Sequence, residues 1–191
     1  MANPTSKIAV LNLGFRPFFL GAAIFAVVSM MLWMDVYVFQ LPLSIARISS
    51  FQWHAHEMIY GFTIAVIAGF LLTAVKNWTG IQTLHGFSLL GLFALWALPR
   101  VLFLFGTPWM FVAGFFDMLF ALCLIGSIMY PIMKVKQWKQ LGIIVILALL
   151  ASANGFFYLG AAGFIDQGVF VGIHGGLFLI VGLFLFMGRR F

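Results

Sequence analysis

The chain has 191 residues, of which 64% are hydrophobic and 7% are charged. A soluble domain carries about 25% charged residues, so this composition excludes a soluble globular protein and predicts an integral membrane protein. The net charge of +6 comes from basic residues scattered between apolar runs, a pattern typical of membrane topology and not of a nucleic-acid-binding surface. The single cysteine, Cys123, excludes an intrachain disulfide.

Six long apolar runs follow one another with short polar connections, which leaves no room for a soluble domain. Each run is close to the ~20 residues that cross the hydrocarbon core as a helix. The runs are continuous and not alternating, so helices are favoured over barrel strands. The sequence therefore predicts an all-α polytopic membrane protein, one bundle over residues 1–191, with helices at 17–39, 54–75, 84–103, 109–131, 140–163 and 168–187.

The distribution of basic residues predicts the orientation of this bundle. If the N-terminus is cytoplasmic, only Arg47 and Arg100 lie on the far side. The cytoplasmic side then receives Lys7, Arg16, Lys76, Lys134, Lys136, Lys139, Arg189 and Arg190. Positively charged residues accumulate in cytoplasmic connections, so both termini are expected in the cytoplasm.

The polar side chains of the predicted spans concentrate in their outer halves. They are Asp35, His54, His56, Glu57, Arg100, Asp117, Asn154, Tyr158 and His174. A central Asp costs about 2.5–3.5 kcal/mol on insertion scales, so such a cluster indicates a functional site. The alternative is that these groups cap helix ends or form internal hydrogen bonds, which stays open above all for Asp35 and Asn154. We expect Asp117 to avoid lipid and to pair with Arg100.

The helical phase of the second span assigns different surroundings to its two histidines. On steps of 100° per residue, His54 and Glu57 share one stripe. The stripe also carries Gly61 and Ala68, small residues that suit close helix packing. His56 lies about 200° away. We therefore expect His54 to point into the bundle. Either the first turn is irregular, or His56 serves a different partner, and an interfacial position for His56 stays open as well.

The last span carries one histidine, His174, on the side opposite its glycines. It lies beside Phe170 and Phe178, a setting that fits the wall of a porphyrin pocket and equally fits a histidine bonded to a neighbouring helix. Because His54 and His174 lie at similar depths, we expect the two to line one pocket in the outer half.

Three segments together resemble the NnrS family of bacterial membrane proteins. They are GFRPFFLGAAIFAVVSMMLW at 14–33, WHAHEMIYGFTIAVIAGFLLTAVKNWTG at 53–80 and GRRF at the end. The resemblance implies a multi-pass protein of the bacterial inner membrane that is associated with haem and copper and acts in nitric oxide metabolism or resistance to nitrosative stress. Family members are longer, so this chain looks like the N-terminal half or a short relative, with a C-terminal half or other membrane subunits as partners beside the lipid bilayer.

Carried over by residue, the motif places family histidines on His54 and His56. With His174 they form the expected haem or metal ligands, while Arg47 and Arg100 are the candidates for the haem propionates. Glu57 is expected to fix a ligand histidine's tautomer, and the second shell or proton path would comprise Glu57, Asp117, Asp35 and Tyr158. The expected haem is b-type, and copper rests on the resemblance alone, since no spacing singles out Met58, Met118 or Cys123.

Three functions follow from these observations. The first is a haem-associated protein of the nitric oxide response, with nitric oxide as a partner. The second is a proton-coupled transporter whose path uses the buried ionisable groups. The third is a non-catalytic assembly partner in which the polar cluster specifies helix pairing. Whether the chain is an enzyme stays open, because no motif for a defined reaction is present.

Overall fold

The computed structural model describes residues 9–40 and 48–188. Within those ranges the chain is helical and contains no strand, and six helices are long and apolar enough to cross a membrane. They are α1 Phe15–Val38, α2 Ser50–Thr79, α3 Gly86–Phe103, α4 Met110–Lys134, α5 Leu141–Ala161 and α6 Gly168–Gly188. The predicted all-helical architecture with six spans is confirmed.

Helix α2 begins at Ser50, four residues before the predicted start, because a capping box precedes the apolar run. The Gln52 backbone N–H donates to Ser49 Oγ at 3.2 Å, and the Ser49 N–H donates to Gln52 Oε1 at 2.8 Å. The helix ends where Gly80 adopts a left-handed conformation with φ of 69° and its N–H donates to the Lys76 carbonyl.

The segment Glu57–Thr63 of α2 is wound as a π-helix between two α-helical parts. This wider winding leaves carbonyls that other groups must satisfy. The Thr63 hydroxyl donates to the Met58 carbonyl at 2.7 Å, and the Trp96 indole of α3 donates to the Gly61 carbonyl at 2.9 Å. The π-helical segment is thus stabilised by side chains from its own helix and from α3.

The bundle is built around α2, whose membrane-length stretch is more buried than that of any other span in the described chain. Helices α5 and α6 pack so closely that a methyl group added at Gly160 or Gly172 would collide with the partner's backbone. Small residues allow such approach between membrane helices. The Phe15 N–H of α1 donates to the Thr73 hydroxyl of α2. Helices α3 and α4 form a hairpin.

The two ends of the bundle differ in chemistry. One end, called the site end below, contains the start of α2, the end of α3, the first turns of α4 and α6 and the last turns of α5. At the other end Gln137 Nε2, in the connection after α4, donates at 2.7 Å to the Trp78 carbonyl in the last turn of α2. Lys76 and Lys134 lie near this bond in the sequence. Four basic residues used in the orientation prediction lie outside the described residues: Lys7, Arg47, Arg189 and Arg190.

Candidate functional site

His56 is completely buried at the site end, and both of its ring nitrogens are engaged. Nδ1 lies 2.9 Å from Glu57 Oε1, and Nε2 lies 2.9 Å from Asn154 Oδ1 on α5. Asn154 Nδ2 faces the carboxylate of Asp117, which only accepts, so its Oδ1 is the atom turned to His56. His56 therefore donates from Nε2, and neither nitrogen is free for a metal.

The Asp117 side chain of α4 is 3% exposed and accepts hydrogen bonds from two other helices, α3 and α5. Arg100 Nη2 of α3 donates to both of its carboxylate oxygens. From α5, the Tyr158 hydroxyl donates to Oδ2 at 2.7 Å and Asn154 Nδ2 donates to it at 3.3 Å. The predictions that Asp117 avoids lipid and pairs with Arg100 are confirmed.

Arg100 connects this carboxylate to α2 and closes a circuit. Its Nη1 donates to the Tyr60 carbonyl at 2.8 Å, in the π-helical segment. Its Nε lies 3.2 Å from Glu57 Oε2, an ion-pair distance without the alignment of a hydrogen bond. The closed circuit, called the polar ring below, joins four helices through His56, Glu57, Arg100, Asp117, Asn154 and Tyr158.

The polar ring holds its charges in a setting where each needs a partner. Every member is 9% exposed or less, and an ion buried without compensation costs several kcal/mol. The arginine faces two carboxylates, and the Glu57 carboxylate also faces an imidazole. Since every contact of the ring except His56–Glu57 joins two different helices, the ring fixes the relative placement of α2, α3, α4 and α5.

The structure reverses the predicted faces of the two neighbouring histidines. His56 lies inside the bundle, whereas His54 is only half-buried. The prediction extended a regular 100° step from His54 through Gly61 to Ala68. The π-helical segment begins directly after His56 and winds more slowly. The phase of the packed face is therefore displaced, and His56 turns inward. Glu57 lies inward, as its place on the predicted stripe required.

His54 instead contacts an aromatic group on α1. Its ring stacks on Trp33 at a centroid distance of 4.8 Å and an interplanar angle of 26°. His54 Nδ1 is buried without a hydrogen-bond partner, and so are the indole nitrogens of Trp33 and Trp53. Native proteins rarely leave such atoms unpaired. We call this group, completed by Tyr37 and Phe51, the aromatic corner.

His174 does not join His54, contrary to the expected shared pocket. It is exposed on the outer side of α6, where Nδ1 donates to the Phe170 carbonyl at 3.0 Å and the ring stacks on Phe170. The face of α6 turned to α2 carries Gly172, whose carbonyl accepts from the Tyr60 hydroxyl at 2.6 Å. The glycines pack inward, so the residue opposite them points outward.

The remaining predicted residues divide between the polar ring and its surroundings. Glu57 contacts a histidine as expected, but the partner is His56 and not His54. Arg100 donates to Asp117 within the ring and to the Tyr60 carbonyl, so this geometry gives no support to its predicted role with the haem propionates. Asp35 is half-buried near the end of α1 and no described contact joins its side chain to the ring. Arg47 falls in the segment that is not described.

A metal centre built from this chain alone is not apparent in the described ranges. Residues 9–40 and 48–188 contain no group of three His, Cys, Asp or Glu side chains placed to hold an ion. Cys123, considered for copper, is exposed. Haem and copper therefore stay predictions from the resemblance.

Asn154 and Tyr60 are central to the site. From the sequence, Asn154 belonged to the polar cluster without an assigned role, and Tyr60 was not a candidate. Asn154 bridges His56 and Asp117, and Tyr60 supplies the carbonyl that receives Arg100. A signal for Asn154 was present, because it precedes Tyr158 by four residues and therefore shares its helix face. Nothing in the sequence marks Tyr60, whose carbonyl is exposed to Arg100 only through the π-helical winding.

Comparison with known proteins gives one result. The family model described as NnrS protein matches residues 9–191, so the match includes both the polar ring and the aromatic corner. Searches of curated proteins and of solved structures give no match.

Proposed function

The chain belongs to the NnrS family, and on this basis we propose that it is a haem-associated protein of the bacterial inner membrane. Its role is in nitric oxide metabolism or resistance to nitrosative stress. The residues that would hold the haem are those of the aromatic corner, and His54 would be the iron ligand from this chain. The observation that carries this assignment is the buried, unpartnered Nδ1 of His54 beside two unpartnered indole nitrogens.

The aromatic corner fits a haem in three respects. His54 offers an imidazole whose ring nitrogens have no described hydrogen bond, unlike those of His56. Trp33 and Tyr37, stacked at 5.0 Å, provide a flat apolar wall, and Phe51 lies edge-on to both rings. The indole N–H groups can donate to carboxylates. A haem held there would supply an iron able to bind nitric oxide.

The polar ring supports this site without being part of it. His56 and Glu57 tie the first turns of α2 to α3 and α5, two residues beyond His54. The capping box fixes the start of the same turns. These contacts would keep the His54 ring stacked on Trp33 before any cofactor binds.

An absorption spectrum of protein purified from haem-replete cells tests the proposal. We expect a Soret band in the wild type and its loss in His54→Ala. His174→Ala and His85→Ala serve as matched controls and should retain the band, because His174 faces outward and His85 lies at the opposite end. A wild type without haem, or His54→Ala with an unchanged band, contradicts the assignment.

A second candidate function is proton-coupled transport, and the polar ring favours it. Glu57 and Asp117 are buried carboxylates that share Arg100, and intramembrane carboxylates commonly mark proton paths. This function predicts no Soret band, together with proton uptake into proteoliposomes that Asp117→Asn abolishes. Uptake that persists in this variant rules the second candidate out.

The proposed orientation puts the site end outside the cytoplasm. The opposite end carries Lys76, Lys134, Lys136 and Lys139, as cytoplasmic connections do. Reporter fusions at residues 80 and 136 should report a cytoplasmic location, and fusions at 106 and 166 a periplasmic one. A periplasmic signal at 80 or 136 would reverse the orientation.

A further inference from the structure

A small cavity adjoins the polar ring, because Asp117 and Asn154 belong to its lining. Its volume is about 30 Å³, and it lies between α2, α4 and α5. One water needs about 10–15 Å³ by the same measure. The cavity therefore suits an occupant slightly larger than water, of about two or three non-hydrogen atoms.

The cavity is polar at one point and apolar elsewhere. Its polar lining comes from Tyr60, Asp117 and Asn154, while its apolar lining includes the buried Phe120, Leu124 and Leu150. The remaining lining residues are aliphatic as well. The surface presented to an occupant therefore resembles hydrocarbon more than an aqueous pocket.

The polar side chains of this lining already have protein partners, which favours an apolar occupant over water. The Tyr60 hydroxyl donates to the Gly172 carbonyl, and Asn154 uses both its oxygen and its nitrogen. Asp117 accepts from Arg100, Tyr158 and Asn154. A buried water needs about two to four hydrogen-bond partners, and here it would have to share atoms that already bond protein groups. A neutral molecule that forms no hydrogen bond therefore fits better.

The cavity also has a side that faces the bilayer. Ala121 of α4 and Ala151 of α5 line it, and both are partly exposed on the outer surface of the bundle. Two small side chains at this position leave a short path from lipid to the cavity. A charged solute does not cross hydrocarbon to reach it, whereas a small uncharged gas dissolves there.

We propose that this cavity binds one small, uncharged, membrane-soluble diatomic gas, which reaches it from the bilayer between Ala121 and Ala151. Its identification as nitric oxide rests on the proposed function, while the site itself rests on the cavity's size and lining. The bound gas lies against Tyr60 and Asp117, so occupancy is sensed by the polar ring and by the π-helical segment of α2.

Xenon is the probe for the site, because it is inert, apolar and visible through methyl NMR shifts. In the full-length protein in micelles, the methyl signals of Leu124 and Leu150 should shift and saturate with xenon pressure. Leu149, exposed on the same helix, is the internal reference and should respond without saturation. Equal, unsaturated responses at Leu149 and Leu150 overturn the proposal, as does a bound water detected at the Leu150 methyls.

Filling the cavity provides the matched variants. Ala151→Leu should weaken xenon binding roughly tenfold or more, because the added carbons occupy the void. Ala148→Leu, on the exposed face of α5, is the control and should leave it unchanged. If Ala151→Leu does not fold, Ala121→Val fills the cavity from α4 with less added volume. Undiminished binding in a folded cavity-filled variant overturns the proposal.

Nitric oxide itself identifies the ligand, since it is a radical and broadens nearby signals. Under anaerobic conditions it should broaden Leu150 more than the exposed Leu149, and stronger broadening at Leu149 contradicts the assignment. The Soret experiment fails or succeeds separately. Xenon binding without haem leaves this site intact and removes the haem proposal, and haem without xenon binding does the reverse.

Discussion

His54 and His56 lie two residues apart on one helix and have opposite surroundings. His56 is fully buried, and both its nitrogens contact protein groups at 2.9 Å. His54 is half-buried against Trp33, and its Nδ1 has no partner. A histidine whose nitrogens are engaged stabilises the fold, and a histidine whose nitrogen is unpaired is the one able to take a ligand.

The same contrast separates the polar ring from the aromatic corner. The ring is closed, draws on four helices and is almost fully shielded from outside. The corner has three buried ring nitrogens without partners. The comparison therefore predicts that changes in the ring cost stability first, whereas changes in the corner cost ligand binding first.

The largest loss of stability is expected from Asp117→Ala. It leaves the buried Arg100 with half of its compensation, and breaking a buried ion pair by removing one partner costs about 3–5 kcal/mol. Equilibrium unfolding in mixed micelles measures the loss. Asp35→Ala, which changes a half-buried carboxylate outside the ring, is the control. Equal stabilities for the two variants would show that the polar ring does not stabilise the fold.

A smaller loss is expected from Asn154→Leu, which keeps the side-chain volume. His56 Nε2 loses its acceptor, while Asp117 retains Arg100 and Tyr158. A buried group left unsatisfied costs about 1–3 kcal/mol. The control is Ser152→Ala on the exposed face, where the hydroxyl bonds only its own helix. A stability equal to that of the control shows that the amide bridge does not matter.

The smallest loss is expected from Trp96→Phe, which tests the π-helical segment. The indole N–H that reaches the Gly61 carbonyl at 2.9 Å disappears, and a net hydrogen bond contributes about 0.5–1.5 kcal/mol. Faster amide exchange over residues 57–63 should accompany the loss. The exposed Trp138→Phe should change neither quantity. Unchanged exchange in Trp96→Phe would mean that the segment holds its winding without α3.

The fold was predictable from the sequence because the controlling terms are large and regular. Six apolar runs of membrane length leave no alternative to six helices, and the cost of a carboxylate in hydrocarbon predicted the pairing of Asp117 with Arg100. The capping box at Ser49 and Gln52 was also readable, although the predicted start of α2 overlooked it.

The faces of the site were not predictable from a regular period. The π-helical segment displaces the phase by an amount that no local residue pattern specifies. His56 therefore lies in the buried position that was predicted for His54. The position of His174 failed for a related reason. Its depth was inferred from the sequence, but its direction depends on close packing between α5 and α6 at Gly160 and Gly172, which is a property of the assembled bundle.

One paired measurement tests most directly whether His54 binds the ligand while His56 stabilises the fold. The Soret band and the unfolding free energy are measured together for His54→Ala and His56→Ala. We expect His54→Ala to lose the band at nearly unchanged stability, and His56→Ala to lose about 1–3 kcal/mol while its folded fraction keeps the band. Loss of the band in folded His56→Ala together with its retention in His54→Ala would contradict the account.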